Sequence, residues 1–170
     1  TSPSAPGTVT NSCATTHAGL SGKPHNIVLV LDRSSSMNDA MSSGGQSKWS
    51  GIQSAFKSFF GSDESTSITI DIIPFPQTSD RNIAGCDQTP YQSPAPNLSA
   101  TLPDTSGGFT NAFASIPVNG GTPTNGAMQG AIAYATALKK KLAGKSDVSI
   151  VLATDGLPTG CLGSGGDFID

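Results

Sequence analysis

An apolar run that stops at one acidic residue constrains this chain more than any other feature. The run extends from Ile27 to Leu31, and Asp32 and a series of hydroxyl side chains follow it in IVLVLDRSSSM. Continuous apolar residues without alternation predict a strand that is buried on both faces, as in a parallel sheet. The polar residues where this strand ends are therefore a candidate site.

The rest of the sequence predicts strands that alternate with helices. In chain order the predicted elements are a strand at Ile27–Leu31, a helix from its cap Ser47 to Gly61, a strand at Ser65–Phe75, a short edge strand at Leu98–Leu102, a short helix through Phe109, Phe113 and Ile116, a long helix capped by Thr122 or Thr124 and closed by Gly144, and a strand from Val148. The first helix carries an apolar stripe of Trp49, Ile52, Phe56 and Phe59. The long helix is expected to face the core with Ala127, Met128, Ala131, Ile132, Ala135, Leu138 and Leu142. This order predicts an α/β fold, a Rossmann-like open and mostly parallel sheet with helices on both faces.

The chain divides into an arm and one domain. A length of 170 residues fits a single domain. Residues 1–25 are polar, rich in Gly and Pro and without periodicity, so they are predicted to form an extended arm in which His17 and His25 face solvent. Residues 26–170 are predicted to form the α/β domain.

Charge and hydropathy limit the partners. Charged residues are only 12% of the chain, against roughly a quarter in typical soluble proteins. A net charge of -3 gives no electrostatic case for binding nucleic acid or an anionic membrane. The sequence also has no apolar segment long enough to cross a bilayer. The composition, with low charge, few lysines and many Ser and Thr residues, resembles that of secreted bacterial surface proteins. It therefore predicts an extracellular or cell-surface location.

Three cysteines, Cys13, Cys86 and Cys161, are not spaced like a zinc site or a dithiol redox pair. In an exported protein two of them would pair. Cys86 and Cys161 each follow the carboxyl end of a predicted neighbouring strand, so a disulfide between them is the preferred hypothesis. Three reduced cysteines are the alternative.

Three loops, DRSSS, GGTPT and TDG, are predicted to bring polar side chains together at the end of the sheet where the parallel strands have their carboxyl ends. The donors they offer are Asp32, Ser34, Ser36, Thr122 and Asp155. All are hard oxygen donors, and an oxygen-only set with two carboxylates favours Mg²⁺, Mn²⁺ or Ca²⁺ over zinc or copper. Gly120 and Gly121 would let the second loop approach closely.

DRSSSM, GGTPT and ATDG, in this order at strand ends, resemble the von Willebrand factor A-like domain with its metal-ion-dependent adhesion site. The resemblance covers about residue 26 to the end, and KW and ATDGLPTGC are similar to secreted bacterial members. It implies that Ser34, Ser36 and Thr122 bind a divalent cation directly, most simply Mg²⁺, and that Asp32 and Asp155 do so directly or through water. One coordination position is then left for an Asp or Glu of a partner protein.

The resemblance also implies further strand and helix units after Asp155, which these 170 residues do not contain. One apolar sheet edge is then expected to be open, and a partner segment is expected to complete it. Ser35 stands where the family commonly has Gly, at a position that does not coordinate the metal. Arg33 is hypothesised to lie beside the metal and to select ligand charge.

Three other interpretations stay open. Asp32, Ser34 and Asp155 are common turn residues, and Thr122 could simply cap a helix. A structural subunit of a surface fibre, pilus or envelope assembly would also use such a domain. A Mg²⁺-dependent hydrolase or phosphotransferase is disfavoured, since Ser34 stands where a second acidic residue is expected and no phosphate-binding Gly-rich Lys loop occurs. A non-enzymatic adhesion domain is therefore the leading hypothesis.

Overall fold

The computed structural model describes residues 23–42, 44–77 and 86–158, which form an α/β fold around a mixed, mostly parallel sheet. The strands are β1 (His25–Asp32), β2 (Ile68–Phe75), β3 (Ser99–Thr101) and β4 (Asp147–Ala153), and the helices are α1 (Lys48–Phe60), α2 (Gly108–Ala114) and α3 (Thr124–Leu142). Short 3₁₀ turns lie at Ser35–Asn38, Asp63–Ser65 and Thr89–Tyr91. The predicted α/β class and element order are confirmed.

β1 is an inner strand of the sheet, whose order is β3-β2-β1-β4. It pairs in parallel with β2, where Val28 lies opposite Asp71, and in parallel with β4, where Val28 lies opposite Ile150. Of the described strands only β3 is antiparallel, and it extends the sheet beyond β2. The apolar run of β1 is therefore explained by neighbours on both sides and helices on both faces.

The sheet separates two apolar clusters. One face carries Leu29 and Leu31 against the aromatic side chains of α1 and α2, with Phe60 in ring contact with Phe113 at 5.2 Å. The other face carries Val28 and Val30 against α3. Ala127, Ala131 and Ala135 line α3 there, and their small side chains let the helix lie close to the sheet.

Several predicted details differ in the structure. Pro123 is the N-cap residue of α3, so neither Thr122 nor Thr124 occupies that position. Ile132 is 51% exposed rather than in the core, because it lies on the solvent side of α3. His25 is the first residue of β1 and its Nε2 lies 3.0 Å from Ser149 Oγ, so it belongs to the sheet rather than to the arm.

Other predictions fall on residues outside the described ranges. They concern the arm through residue 22, including His17, and the two cysteines Cys13 and Cys161. Cys86 is disulfide-bonded, which excludes three reduced cysteines, but its partner lies outside the described residues. The pairing of Cys86 with Cys161 stays a prediction. Within the described ranges, every helix is too short or too polar to cross a membrane.

The segment after Cys86 packs directly against α3 through two glycines. A Cβ at Gly126 would lie 2.6 Å from the carbonyl oxygen of Cys86, and one at Gly130 would lie 2.4 Å from that of Gln88. Tyr91, fully buried in the same segment, joins the α3 cluster. Because Gly126 and Gly130 have no side chains, the segment can lie directly beside the start of α3, close to the loop that carries Thr122.

Replacing Gly130 with Ala is expected to lower the free energy of unfolding by about 1–3 kcal/mol, because the new methyl group would overlap backbone atoms. Urea denaturation measures the change. Gly61→Ala is the matched control, since its Cβ would meet nothing closer than 3.9 Å. Equal effects at the two positions would refute the close-packing interpretation.

Candidate functional site

The candidate site lies where chain connectivity reverses in the sheet. From β1 the chain passes through α1 to β2 on one side, and it later returns through α3 to β4 on the other side. The carboxyl ends of β1 and β4 are adjacent, and the gap between them is where ligands bind in open α/β sheets. Asp32 is the last residue of β1, and Asp155 follows the end of β4 by two residues.

Side chains of the first and third loops form one continuous hydrogen-bond chain. The Thr154 hydroxyl donates to Asp32 Oδ2 at 2.7 Å, and the Ser34 amide donates to Asp32 Oδ1 at 2.8 Å. Ser34 Oγ lies 3.0 Å from Ser36 Oγ, and Ser36 Oγ donates to Asp155 Oδ1 at 3.0 Å. Four of the five predicted ligand residues are thus brought together.

The fifth predicted ligand residue, Thr122, lies on the adjoining loop and is buried. Two backbone hydrogen bonds fix this loop to the first one: the Ser35 amide donates to the Gly120 carbonyl at 3.0 Å, and the Asn119 amide donates to the Arg33 carbonyl at 2.8 Å. Gly120 has a φ of 89°, a conformation that favours glycine. The three loops therefore adjoin at this edge, as the sequence predicted.

Arg33 contacts two oxygen atoms of the second loop, and the hypothesis that it lies beside the metal and selects ligand charge stays a prediction. Its side chain is buried, and its Nη1 donates to the Pro117 carbonyl at 2.8 Å and to Asn119 Oδ1 at 3.0 Å. Burial lowers the pKa of the guanidinium from its ordinary value. Arg33 instead ties the second loop to the first.

Lys48, the first residue of α1, supplies the positive charge at the site. Its Nζ donates to Asp155 Oδ2 at 2.7 Å and lies 3.9 Å from Asp39 Oδ2. The hydrogen bond to Asp155 raises the pKa of the ammonium above its ordinary value. Asp155 is largely shielded, with 8% of its side chain exposed, whereas Asp39 is 69% exposed.

The donor chemistry of the site fits a hard divalent cation. Asp32 is fully buried, and among the described residues no Lys or Arg forms an ion pair with it. A bound cation would compensate this buried charge. No group of three or more His, Cys, Asp or Glu side chains that could hold a metal occurs in the described ranges, and the predicted set contains only two acids beside hydroxyls. Asp32, Ser34, Ser36, Thr122 and Asp155 are the residues that would hold the ion.

A polar groove of about 600 Å³ lies elsewhere, between β3 and the start of α2. Asp104 lines it, but both oxygens of this carboxylate accept hydrogen bonds within the groove wall: Oδ2 from the amide and hydroxyl of Thr110, and Oδ1 from the Ser106 hydroxyl and the Gly107 amide. These bonds lower the pKa of Asp104. The carboxylate thus holds the start of α2 rather than facing a ligand.

Sequence reasoning missed the contributions of Lys48 and Thr154. Thr154 carried no distinct signal in the sequence, because its hydroxyl donates to Asp32 only once β4 lies beside β1 in the folded chain. Lys48 did carry one. A cation in the first turn of a helix opposes the helix dipole, and such a position is explained by a nearby acid.

Comparison of the chain with models of protein families, with characterised proteins and with solved structures found no match. The chemistry of the site and the motif resemblance are therefore the features that indicate a function.

Arg33→Ala is expected to lower the free energy of unfolding by about 2 kcal/mol, because a buried side chain loses charge-assisted hydrogen bonds to two acceptors. Lys57→Ala, on an exposed part of α1, is the control and is expected to change stability by less than about 0.5 kcal/mol. Thermal or urea unfolding measures both. An Arg33 variant as stable as the wild type would refute its role as a tie between the loops.

Proposed function

We propose that this protein is a non-enzymatic recognition domain that binds a divalent cation, most simply Mg²⁺, and uses it to hold an Asp or Glu side chain of a protein partner. The proposal follows the resemblance to von Willebrand factor A-like domains with a metal-ion-dependent adhesion site. Its setting is outside the cell, at the cell surface or secreted. Ca²⁺ and Mn²⁺ are alternative ions of the same hard class.

The observation that carries the proposal is the position of Ser36. Its Oγ lies 3.0 Å from Ser34 Oγ in its own loop and 3.0 Å from Asp155 Oδ1 in the loop after β4. Oxygen atoms from separate parts of the chain therefore lie at one point, next to the buried Asp32 carboxylate. Ordinary turn residues would not need to meet in this way.

The mixture of hydroxyls and carboxylates favours capture of an anion. Two carboxylates balance a divalent cation, and neutral hydroxyl ligands leave it more electrophilic than further carboxylates would. Such an ion retains attraction for an anionic ligand, and a carboxylate from a partner forms a charge-assisted contact in a partly dry pocket. The domain itself supplies the shape and the ligands.

An enzymatic function has less support. Asp32 would be the obvious nucleophile or base, but its two oxygens accept hydrogen bonds from the Ser34 amide and the Thr154 hydroxyl. A hydrolase or phosphotransferase needs a free nucleophile or base in addition to the metal. The side chains gathered here serve binding better than bond cleavage.

A structural role in a surface fibre, pilus or envelope assembly is the second candidate, and the β4 edge favours it. Val151 and Leu152 point to opposite faces of the sheet and are 42% and 40% exposed. Among the described strands only β1 pairs with β4, so its outer edge is open to a strand from a partner segment. Light scattering during chelation separates the two roles, since loss of assembly indicates a structural metal.

Asp32→Asn is expected to weaken Mg²⁺ binding at least about tenfold, because the attraction between a unit charge and a divalent ion about 4 Å away is about 2 kcal/mol even in a water-like dielectric. Isothermal titration calorimetry on the 170-residue chain measures the dissociation constant. Asp63→Asn, at an exposed acid after α1, is the matched control and is expected to bind as the wild type does. Undiminished binding by the Asp32 variant would refute the proposed metal site.

Selection of displayed random peptides on the immobilised protein with Mg²⁺ present, followed by elution with EDTA, is expected to enrich peptides that contain Asp or Glu. Replacement of the selected acid by its amide should abolish binding, because the neutral side chain cannot satisfy the cation. Mg²⁺ re-addition should restore binding of the acidic peptide. EDTA-eluted peptides that show no preference for Asp or Glu, or that bind undiminished after the acid is replaced by its amide, would refute recognition of an acidic side chain through the metal.

A further inference from the structure

Lys48 places a permanent positive charge against one of the proposed metal ligands. Its Nζ donates to Asp155 Oδ2 at 2.7 Å, while the other oxygen of the same carboxylate accepts from Ser36 at 3.0 Å. The carboxylate therefore has one oxygen directed toward the hydroxyl cluster and one toward the ammonium. Any cation held by Asp155 shares that carboxylate with Lys48.

The place of Lys48 in α1 runs against local helix preference. Ser47 is the N-cap, accepting a hydrogen bond from the Ser50 amide, and Lys48 is the first helical residue. A cation there opposes the positive end of the helix dipole, and the first turn has no acidic residue to offset it. The compensating charge comes from Asp155, which lies 107 positions further along the chain. A residue that breaks a local rule in this way is typical of a functional site.

We propose that Lys48 is a tethered cation that competes with the divalent ion for Asp155 and thereby holds the affinity of the metal site low. This inference rests on the proposed function. When no divalent ion is bound, the ammonium neutralises part of the charge of Asp32 and Asp155. When the ion binds, its two charges already balance both carboxylates, and Lys48 adds repulsion.

Asp39 gives the ammonium a second acidic neighbour. Asp39 Oδ2 lies 3.9 Å from Lys48 Nζ, on the exposed side, and the Lys48 amide donates to the Asp39 carbonyl at 3.0 Å. The backbone contact keeps the start of α1 beside Asp39, so a small rotation of the lysine stem moves its charge between the two acids. Lys48 can thus leave Asp155 without becoming unpaired.

The test compares Mg²⁺ and Mn²⁺ binding by calorimetry in the 170-residue wild type and in Lys48→Gln, Lys48→Met and Lys48→Arg. Gln retains a hydrogen-bond donor for Asp155 but removes the charge, so it isolates the electrostatic effect. Both neutral variants are expected to bind at least about tenfold more tightly, whereas Arg is expected to bind within a few-fold of the wild type. Lys57→Met, on the exposed side of the same helix, should leave the dissociation constant unchanged.

Thermal unfolding gives a second readout that does not depend on partner binding. In EDTA the neutral Lys48 variants are expected to unfold at a lower temperature than the wild type, and saturating Mg²⁺ should raise their unfolding temperature by more than it raises that of the wild type. The proposal is overturned if the wild type binds Mg²⁺ and the neutral variants bind equally or more weakly, which leaves the proposed function intact. If neither the wild type nor any variant binds an ion, the proposed function is overturned as well.

Discussion

The parallel pairing of β1 with a strand on each side is the constraint on which the rest of the structure depends. Because β2 and β4 flank it and helices cover both faces, the apolar side chains of β1 from Ile27 to Leu31 pack into the core on both sides of the sheet. Asp32 is the first acidic residue of the strand, and it falls at the edge where loops from both neighbours begin. The parallel pairing of β1 that forms the core therefore also brings the polar loops together.

Hydroxyl side chains stabilise the two carboxylates that lie at the carboxyl ends of β1 and β4. Asp32 and Asp155 carry like charges in a largely shielded place, and each needs hydrogen-bond donors. Thr154 donates to the first carboxylate and Ser36 to the second. A hydroxyl both donates and accepts, so a side chain that donates to a carboxylate retains lone pairs with which to bind a cation. Further carboxylates at these positions would add repulsion and leave no donors.

The sequence predicted the parts of the fold that depend on local periodicity. The strand ending at Asp32 and the helix between Ser47 and Gly61 are confirmed, because the apolar period and the cap residues agree. The exposure of Ile132 was not predictable in this way, since the width of the buried face of α3 depends on how close its glycines let residues 86–91 approach. The burial of Phe60 likewise depends on the rings of α2.

The sequence predicted that four of the proposed ligand residues lie together, but it did not predict the charge balance of the candidate site. Motif order placed Asp32, Ser34, Ser36 and Asp155 at one edge, and the hydrogen bonds among them agree with that placement. The role of Arg33 was not predictable, because its partner carbonyl at Pro117 is distant in the sequence. A basic residue next to Asp32 suggested charge selection, whereas the guanidinium is bound to neutral acceptors.

The two basic residues near the site, Arg33 and Lys48, differ in how firmly their charges are held, and this difference affects how the site can respond to a bound cation. The planar guanidinium of Arg33 is buried and held by two oxygen atoms, so its charge is fixed in place. The ammonium of Lys48 is partly exposed on a flexible stem and has acids on two sides. Among the described residues, only this second charge forms an ion pair with the carboxylates of the site. If a cation binds to or leaves the site at the carboxyl ends of β1 and β4, Lys48 would therefore move first. The loops that Arg33 joins would keep their positions.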